Sequence, residues 1–179
     1  YGHECSVIGA GIDGDYWHEV KSMASRDSGP FTFLYSAFSN VRSGLDLLLQ
    51  AWDIAFNKNN DVSLIIKNTS DSEKLKKVVW DYHHQGNCIN YVNKRVRFCE
   101  LRSMYSLAHV SINVLRHSGH GLIIGESAAC GCLPLVGDFD PSNKIANNNM
   151  AEFLKPTVDV YMDEIMDELV NDFGLTNTF

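Results

Sequence analysis

The 179-residue chain predicts a doubly wound α/β domain, a parallel sheet covered by helices on both faces. Strand-length apolar runs alternate with helically spaced segments along most of the sequence, and the connections between them are short. The composition agrees: 45% hydrophobic and 21% charged residues are what a soluble domain with a substantial core uses.

Residues 1–30 have no clear period. Val7-Ile8-Gly9-Ala10-Gly11-Ile12-Asp13-Gly14 is too glycine-rich for a regular element and reads as an extended lead-in with turns. Its loose G-x-G look lacks the strand-plus-helix context of a dinucleotide fingerprint. The expected division is therefore a lead-in or interdomain linker over 1–30 and the α/β domain over 31–179. Phe31 to Ser36 is rich in aromatic and apolar residues and reads as the first strand. Leu45 to Phe56 places Leu45, Leu48, Leu49, Trp52, Ile54 and Ala55 at helical spacing. Val62 to Ile66 is a second strand, and Asp71 to Gln85 a polar amphipathic helix begun by Ser/Asp cap residues. Cys88 to Val92, Val110 to Leu115 and Leu133 to Val136 read as strands, with helices at Glu100 to Leu107 and Leu122 to Cys130 between them. Further helices are expected at Asn143 to Leu154 and Met162 to Phe173, with a short strand at Val158 to Tyr161.

A formal charge of −7 argues against nucleic acid or an anionic membrane as the main partner. No apolar stretch approaches a membrane span and no signal peptide is visible, so a cytoplasmic location is expected. The chain opens on Tyr1 rather than Met and is expected to be part of a longer protein. Five cysteines, Cys5, Cys88, Cys99, Cys130 and Cys132, lack metal-site spacing and read as reduced thiols; no metal site is expected. The His83–His84 pair reads as surface helix residues.

Ligands of doubly wound sheets bind beyond the carboxyl ends of the strands, which selects loops 37–44, 67–71, 92–100, 116–122 and 137–142. The most informative is Gly119-His120-Gly121-Leu122-Ile123-Ile124-Gly125-Glu126. Glycines ahead of a helix leave its first N–H groups open, and these donors with the helix dipole favour an anion. Glu126 lies about one turn into that helix, where it can accept hydrogen bonds from hydroxyls of the same ligand. An anion beside a hydroxylated group suggests a nucleotide. Two other loops bring cations to this edge: Arg42, able to grip phosphate in a bidentate way, and Lys67. Solvated loop charges are the plainer reading of each.

The ordered set Arg42-Ser43-Gly44-Leu45-Asp46-Leu47-Leu48-Leu49-Gln50-Ala51-Trp52, then Glu100-Leu101 with Met104-Tyr105, then Gly119 to Pro134, resembles the donor-binding, carboxy-terminal half of retaining GT-B glycosyltransferases of the family 4 (group 1) kind. The first motif is similar to R-K-G-x-D-x-L-L-x-A, and the last to the segment holding the E-x7-E signature. Val7 to Asp13 resembles the segment by which such chains enter their second half. The resemblance implies a Rossmann-like domain that binds a nucleotide sugar and transfers the sugar, with retained configuration, to a hydroxyl of a glycan, lipid or protein acceptor. It implies a hexosyltransferase-like, metal-independent activity with no cofactor. It also implies a separate amino-terminal domain that holds the acceptor, without which this half binds donor and transfers poorly or not at all.

Carried over by position, Glu126 would hold the ribose hydroxyls, and Gly121, Leu122 and Ile123 would present amides to the diphosphate or sugar. Arg42 would meet the phosphates, and Tyr91, Val92 and the following loop lie where the nucleobase is seated. The first glutamate of E-x7-E falls on Ser118, next to Gly119; the lysine of R-K-G falls on Ser43, and a further common cation on Phe38. Lys67, Arg116 or His120 are the residues that could restore the lost positive charge. Two rival readings remain: a catalytically degenerate GT-B-like binding or scaffold module, and an unrelated doubly wound domain with its ligand at another switch point.

Overall fold

A computed structural model gives the structure of residues 11–21, 26–37, 43–56, 58–69, 73–84, 86, 88–114, 121–138, 146 and 149–155. A short 3-10 turn, Arg26–Ser28, precedes β1 (Phe31–Ser36), α1 (Leu45–Phe56), β2 (Val62–Asn68), α2 (Glu73–His84) and β3 (Ile89–Asn93). Then follow α3 (Phe98–Leu107), β4 (Val110–Asn113), α4 (Leu122–Ala129), β5 (Leu133–Gly137) and β6 (Glu152–Leu154). The six strands form one sheet in the order β3-β2-β1-β4-β5-β6. Every pairing is parallel. All strands therefore end at the same edge, and the doubly wound α/β expectation holds.

Alternation along the strands sorts side chains to the two faces. Tyr35, Leu64, Ile66, Ile89 and Ile112 point to one face, where Leu48, Leu49 and Trp52 of α1 and Val79 of α2 cover them. Leu34 points to the other and packs with Tyr105 of α3, Cys130, Cys132 and Trp17 of the lead-in. The second cluster shows what residues 11–21 do. Ile12, Tyr16 and Trp17 fill a gap in that face as core side chains. The Arg102 guanidinium donates to the Tyr16 carbonyl at 2.8 Å, and the Ser106 hydroxyl accepts from the Val20 N–H at 2.9 Å.

Arg26 ties the same segment to the helix ends. It donates to the carbonyls of Ser106 at 2.8 Å, Gly131 at 2.7 Å and Cys130 at 2.8 Å. The last turns of α3 and α4 leave such carbonyls without helical partners, and a cation there also suits the dipole. Replacing Arg26 by Ala is expected to cost about 2 kcal/mol, read as a lower midpoint in urea denaturation.

β1 and α1 span the residues that the sequence predicts. α3 starts two residues earlier than expected, at Phe98, because the Glu100 carboxylate accepts from the Arg97 N–H at 2.7 Å and closes the first turn. That bond, with the nearby Arg97 charge, holds the Glu100 carboxyl below its ordinary value. The helix expected over Asn143 to Leu154 is corrected at its carboxyl end, where residues 152–154 are strand β6, paired through Leu135↔Glu152, Val136↔Phe153 and Gly137↔Leu154; residues 143–145, 147 and 148 lie outside the described residues. An extended Glu152–Leu154 gives β5 its outer partner. Ala146 and Ala151 bury against Ile124 and Val136 beside it. The expected strand at Val158 to Tyr161 and helix at Met162 to Phe173 lie outside the described residues.

Candidate functional site

The carboxyl edge of the sheet is lined by buried polar side chains. Ser36 ends β1, Asn68 ends β2 and Asn113 ends β4, each at most 5% exposed. Asn113 donates to the Ser111 carbonyl at 3.3 Å, and Asn68 to the Tyr91 hydroxyl at 3.5 Å. Burying polar groups in this way requires partners, and concentrating them at the edge sets up a polar floor for a ligand.

Beyond β4, α4 rises from Gly121, whose left-handed backbone (φ 59°) turns the chain into the helix. The Gly121 carbonyl accepts the Ile124 N–H at 2.9 Å, and the N–H groups of Leu122 and Ile123 belong to the open first turn. Leu122 is exposed, Ile123 packs toward Tyr105 and Trp17, and Ile124 is buried beside Val136. The helix is thus anchored by its second and third residues while its start faces outward.

Glu126 follows one turn on and is half-buried, with no ion pair or hydrogen bond among the described residues. Burial pushes its carboxyl above the usual carboxylate range. Its charge is felt by its neighbours: it helps raise the hydroxyl of Tyr105 and the thiol of Cys130. Tyr105 is wholly buried, and burial above all pushes its hydroxyl far above the ordinary tyrosine value. That hydroxyl makes no hydrogen bond of good geometry, and Ser36 is the polar side chain that favours its ionised form. Removing a buried, unpartnered hydroxyl relieves a desolvation cost. Tyr105→Phe is therefore expected to hold or raise stability by about 1 kcal/mol, measured by thermal unfolding.

The two buried thiols are inert. Burial raises Cys130 and pushes Cys132 up to about 12, so both remain protonated at neutral pH. Among the described residues no three His, Cys, Asp or Glu side chains come together, and no helix is long and apolar enough to cross a membrane.

Of the site residues expected from sequence, Gly121, Leu122, Ile123 and Glu126 come together at the start of α4. Lys67 sits at the carboxyl end of β2, half-buried, in register with Ser36 and Val92. Tyr91 packs on the opposite face, against the α1–α2 cluster, and holds Asn68. Arg42, Ser118, Gly119 and His120 lie outside the described residues, as does Arg116. Ser43 is buried, and its carbonyl accepts the Tyr35 hydroxyl at 2.9 Å, so this position serves the core. One neighbour of the α4 start escaped the sequence reading as a site residue. Tyr105 could be found only through the packing of α3 on α4.

No protein-family model and no curated protein sequence matches the chain. Solved structures do. It is similar to the C-terminal domain of the group 1 glycosyl transferase LpcC from Francisella tularensis, with a TM-score of 0.67, 16% identity, and coverage of 92% of this chain and 90% of that one. It is similar to sucrose-phosphate synthase from Thermosynechococcus elongatus, with a TM-score of 0.68, 16% identity, and coverage of 92% of this chain. It is also similar to Anabaena HepE, solved in complex with UDP and glucose, with a TM-score of 0.66, 14% identity, and coverage of 96% of this chain. The chain spans 43% and 48% of the length of the last two. At these identities the likeness establishes architecture. The chain has the fold of the carboxy-terminal, Rossmann-like domain of GT-B glycosyltransferases.

Proposed function

We propose that the chain is the donor-binding domain of a glycosyltransferase, seating a nucleoside diphosphate sugar at the start of α4. The observation that supports this best is Glu126: a half-buried carboxylate with no ionic partner among the described residues, one turn from an open helix start, at the carboxyl edge of a sheet with this fold. Such a carboxylate is set to accept hydrogen bonds from a vicinal diol, the ribose, while the first amides of α4 and the helix dipole meet the diphosphate. By sequence, Arg42 and His120 are assigned to the same phosphates and Ser118 to a sugar hydroxyl. Stabilising the departing nucleoside diphosphate by donors and dipole needs no divalent metal, and transfer with retained configuration to an acceptor hydroxyl is the reaction proposed. The acceptor, whether glycan, lipid or protein, is assigned to a second domain facing this edge.

Calorimetric titration with the diphosphates of uridine, guanosine, thymidine and adenosine tests the proposal. One of them is expected to bind at millimolar concentration or better; silence from all four would overturn it. The second reading, a degenerate module that scaffolds rather than transfers, draws support from buried Ser43 at the position where the resemblance expects a lysine. That reading stands if the titration is silent.

A further inference from the structure

Tyr105 carries a hydroxyl that its packing does not need. The ring is wholly buried with Leu34, Ala108, Cys130 and Cys132, and meets Trp17 edge to face at 6.0 Å between ring centres. A phenylalanine would make every one of these contacts. The hydroxyl is desolvated without a hydrogen bond of good geometry, which is a net cost to the fold. A polar group that the core neither uses nor satisfies calls for a partner at a site.

The fold carries that hydroxyl under the start of α4. α3 begins at the carboxyl edge of the sheet, and helical side chains lean toward the helix start, so the Tyr105 ring points its oxygen toward that edge. On β1, Ser36 lies two residues beyond Leu34 on the same side of the strand. On α4, Ile123 and Cys130 both pack in the Tyr105 cluster. Glu126, three residues after the first and four before the second, belongs to the same stripe of that helix. Its carboxylate is half-buried and makes no ion pair or hydrogen bond among the described residues. The contact is felt electrically: after burial, the Glu126 charge is the largest influence raising the Tyr105 hydroxyl. A donor without an acceptor and an acceptor without a donor thus meet between two packed helices.

We propose that Tyr105 is a positioning residue for the nucleotide: its hydroxyl donates to Glu126 in the complex and holds the carboxylate in the orientation that accepts from the ribose diol. The proposal rests on reading the start of α4 as the donor site, and adds a residue that acts through Glu126 without touching the ligand. A bound ribose takes water from the carboxylate, and the Tyr105 donor replaces part of what is lost. A calorimetric double-mutant cycle over wild type, Tyr105→Phe, Glu126→Gln and the pair tests this. The ligand is whichever of UDP, GDP, dTDP and ADP binds most tightly, alongside its analogue without hydroxyls on the sugar ring. Melting temperatures of the same proteins are taken without ligand.

Tyr105→Phe is expected to weaken the hydroxylated nucleotide by about tenfold, while melting at or above wild type. A packing role cannot combine lost affinity with undiminished stability. The pair is expected to bind no more weakly than Glu126→Gln alone, and the analogue to bind wild type and Tyr105→Phe alike. Equal affinity of Tyr105→Phe and wild type would overturn the proposal and leave the donor reading standing. Additive losses in the pair, or equal weakening of the analogue by Tyr105→Phe, would do the same. A Tyr105→Phe that melts well below wild type would assign the hydroxyl to the fold and overturn the proposal too. Silence of the wild type toward all four nucleotides would instead sink the donor reading, and this proposal with it.

Discussion

Glu126→Gln is expected to make the ligand-free domain harder to melt at neutral pH while weakening nucleoside diphosphate binding by about ten- to hundredfold. Both effects come from one desolvated carboxylate. Burial raises its proton affinity in the folded state, so between the unfolded value, about 4.3, and the higher folded value, the folded chain binds more protons than the unfolded one. Stability therefore falls as pH rises through that window, and above it the full cost of a half-buried charge is present. Gln has no such window. The difference in Tm between variant and wild type should be small in acid, grow as pH rises past the unfolded value, and level off above the folded one. The loss of affinity follows from replacing a charged acceptor of hydroxyl hydrogen bonds with a neutral amide, about 1.5–3 kcal/mol. Thermal melts across pH, paired with calorimetry, check both halves. A variant that melted lower than wild type at neutral pH would contradict the electrostatic account.

Gly44→Ala is expected to be the most destabilising single-methyl change in the described structure, by about 2–5 kcal/mol. Gly44 has φ +69° ahead of α1, and its carbonyl accepts the Leu48 N–H at 3.0 Å. A side chain there adopts the left-handed region at a cost of about 1–2 kcal/mol. Its Cβ would also run into the carbonyl oxygen of Val114 at the end of β4. That atom is backbone, held by the strand behind it, so relief requires moving β4 or α1, another 1–3 kcal/mol or so. The displacement would fall between the start of α1 and the end of β4. Urea denaturation gives the stability loss, and a loss of nucleotide affinity greater than the unfolding alone explains would place Gly44 in shaping the site.

Where the signal was local, the sequence read well. The aromatic run of β1 and the 3.6-residue spacing of α1 gave their ends residue for residue, because one stretch of chain carries the whole pattern. Strand ends set by partners were less visible: Lys67 and Asn68 extend β2 because β3 continues beside them. β6 was misread for the same reason. Glu152-Phe153-Leu154 has no strong period of its own, and its extended form comes from the open edge of β5. At the site, a glycine turn followed by a helix with one carboxylate could be read as an anion pocket from neighbours in sequence alone. The raised Glu126 carboxyl and the orphaned Tyr105 hydroxyl arise only when α3 packs on α4, which brings together elements separated in the chain by β4 and its loops. That Tyr91 turns to the α1–α2 side while Lys67 turns to the other is a matter of strand parity, legible once the register is known.

The packing of Ile12 on Gly125 gives the lead-in a thermodynamic voice in the site. A Cβ on Gly125 would stand 2.6 Å from Ile12 Cγ1, so the isoleucine occupies the space a side chain would need, one residue before Glu126. Two groups that share a boundary this close exchange work in both directions. If a bound nucleotide steadies α4, it must tighten residues 11–17 by the same coupling free energy, and anything that pulls on the lead-in must loosen the nucleotide by that amount. Amide exchange in residues 12–17, with and without UDP, would register this reciprocity directly.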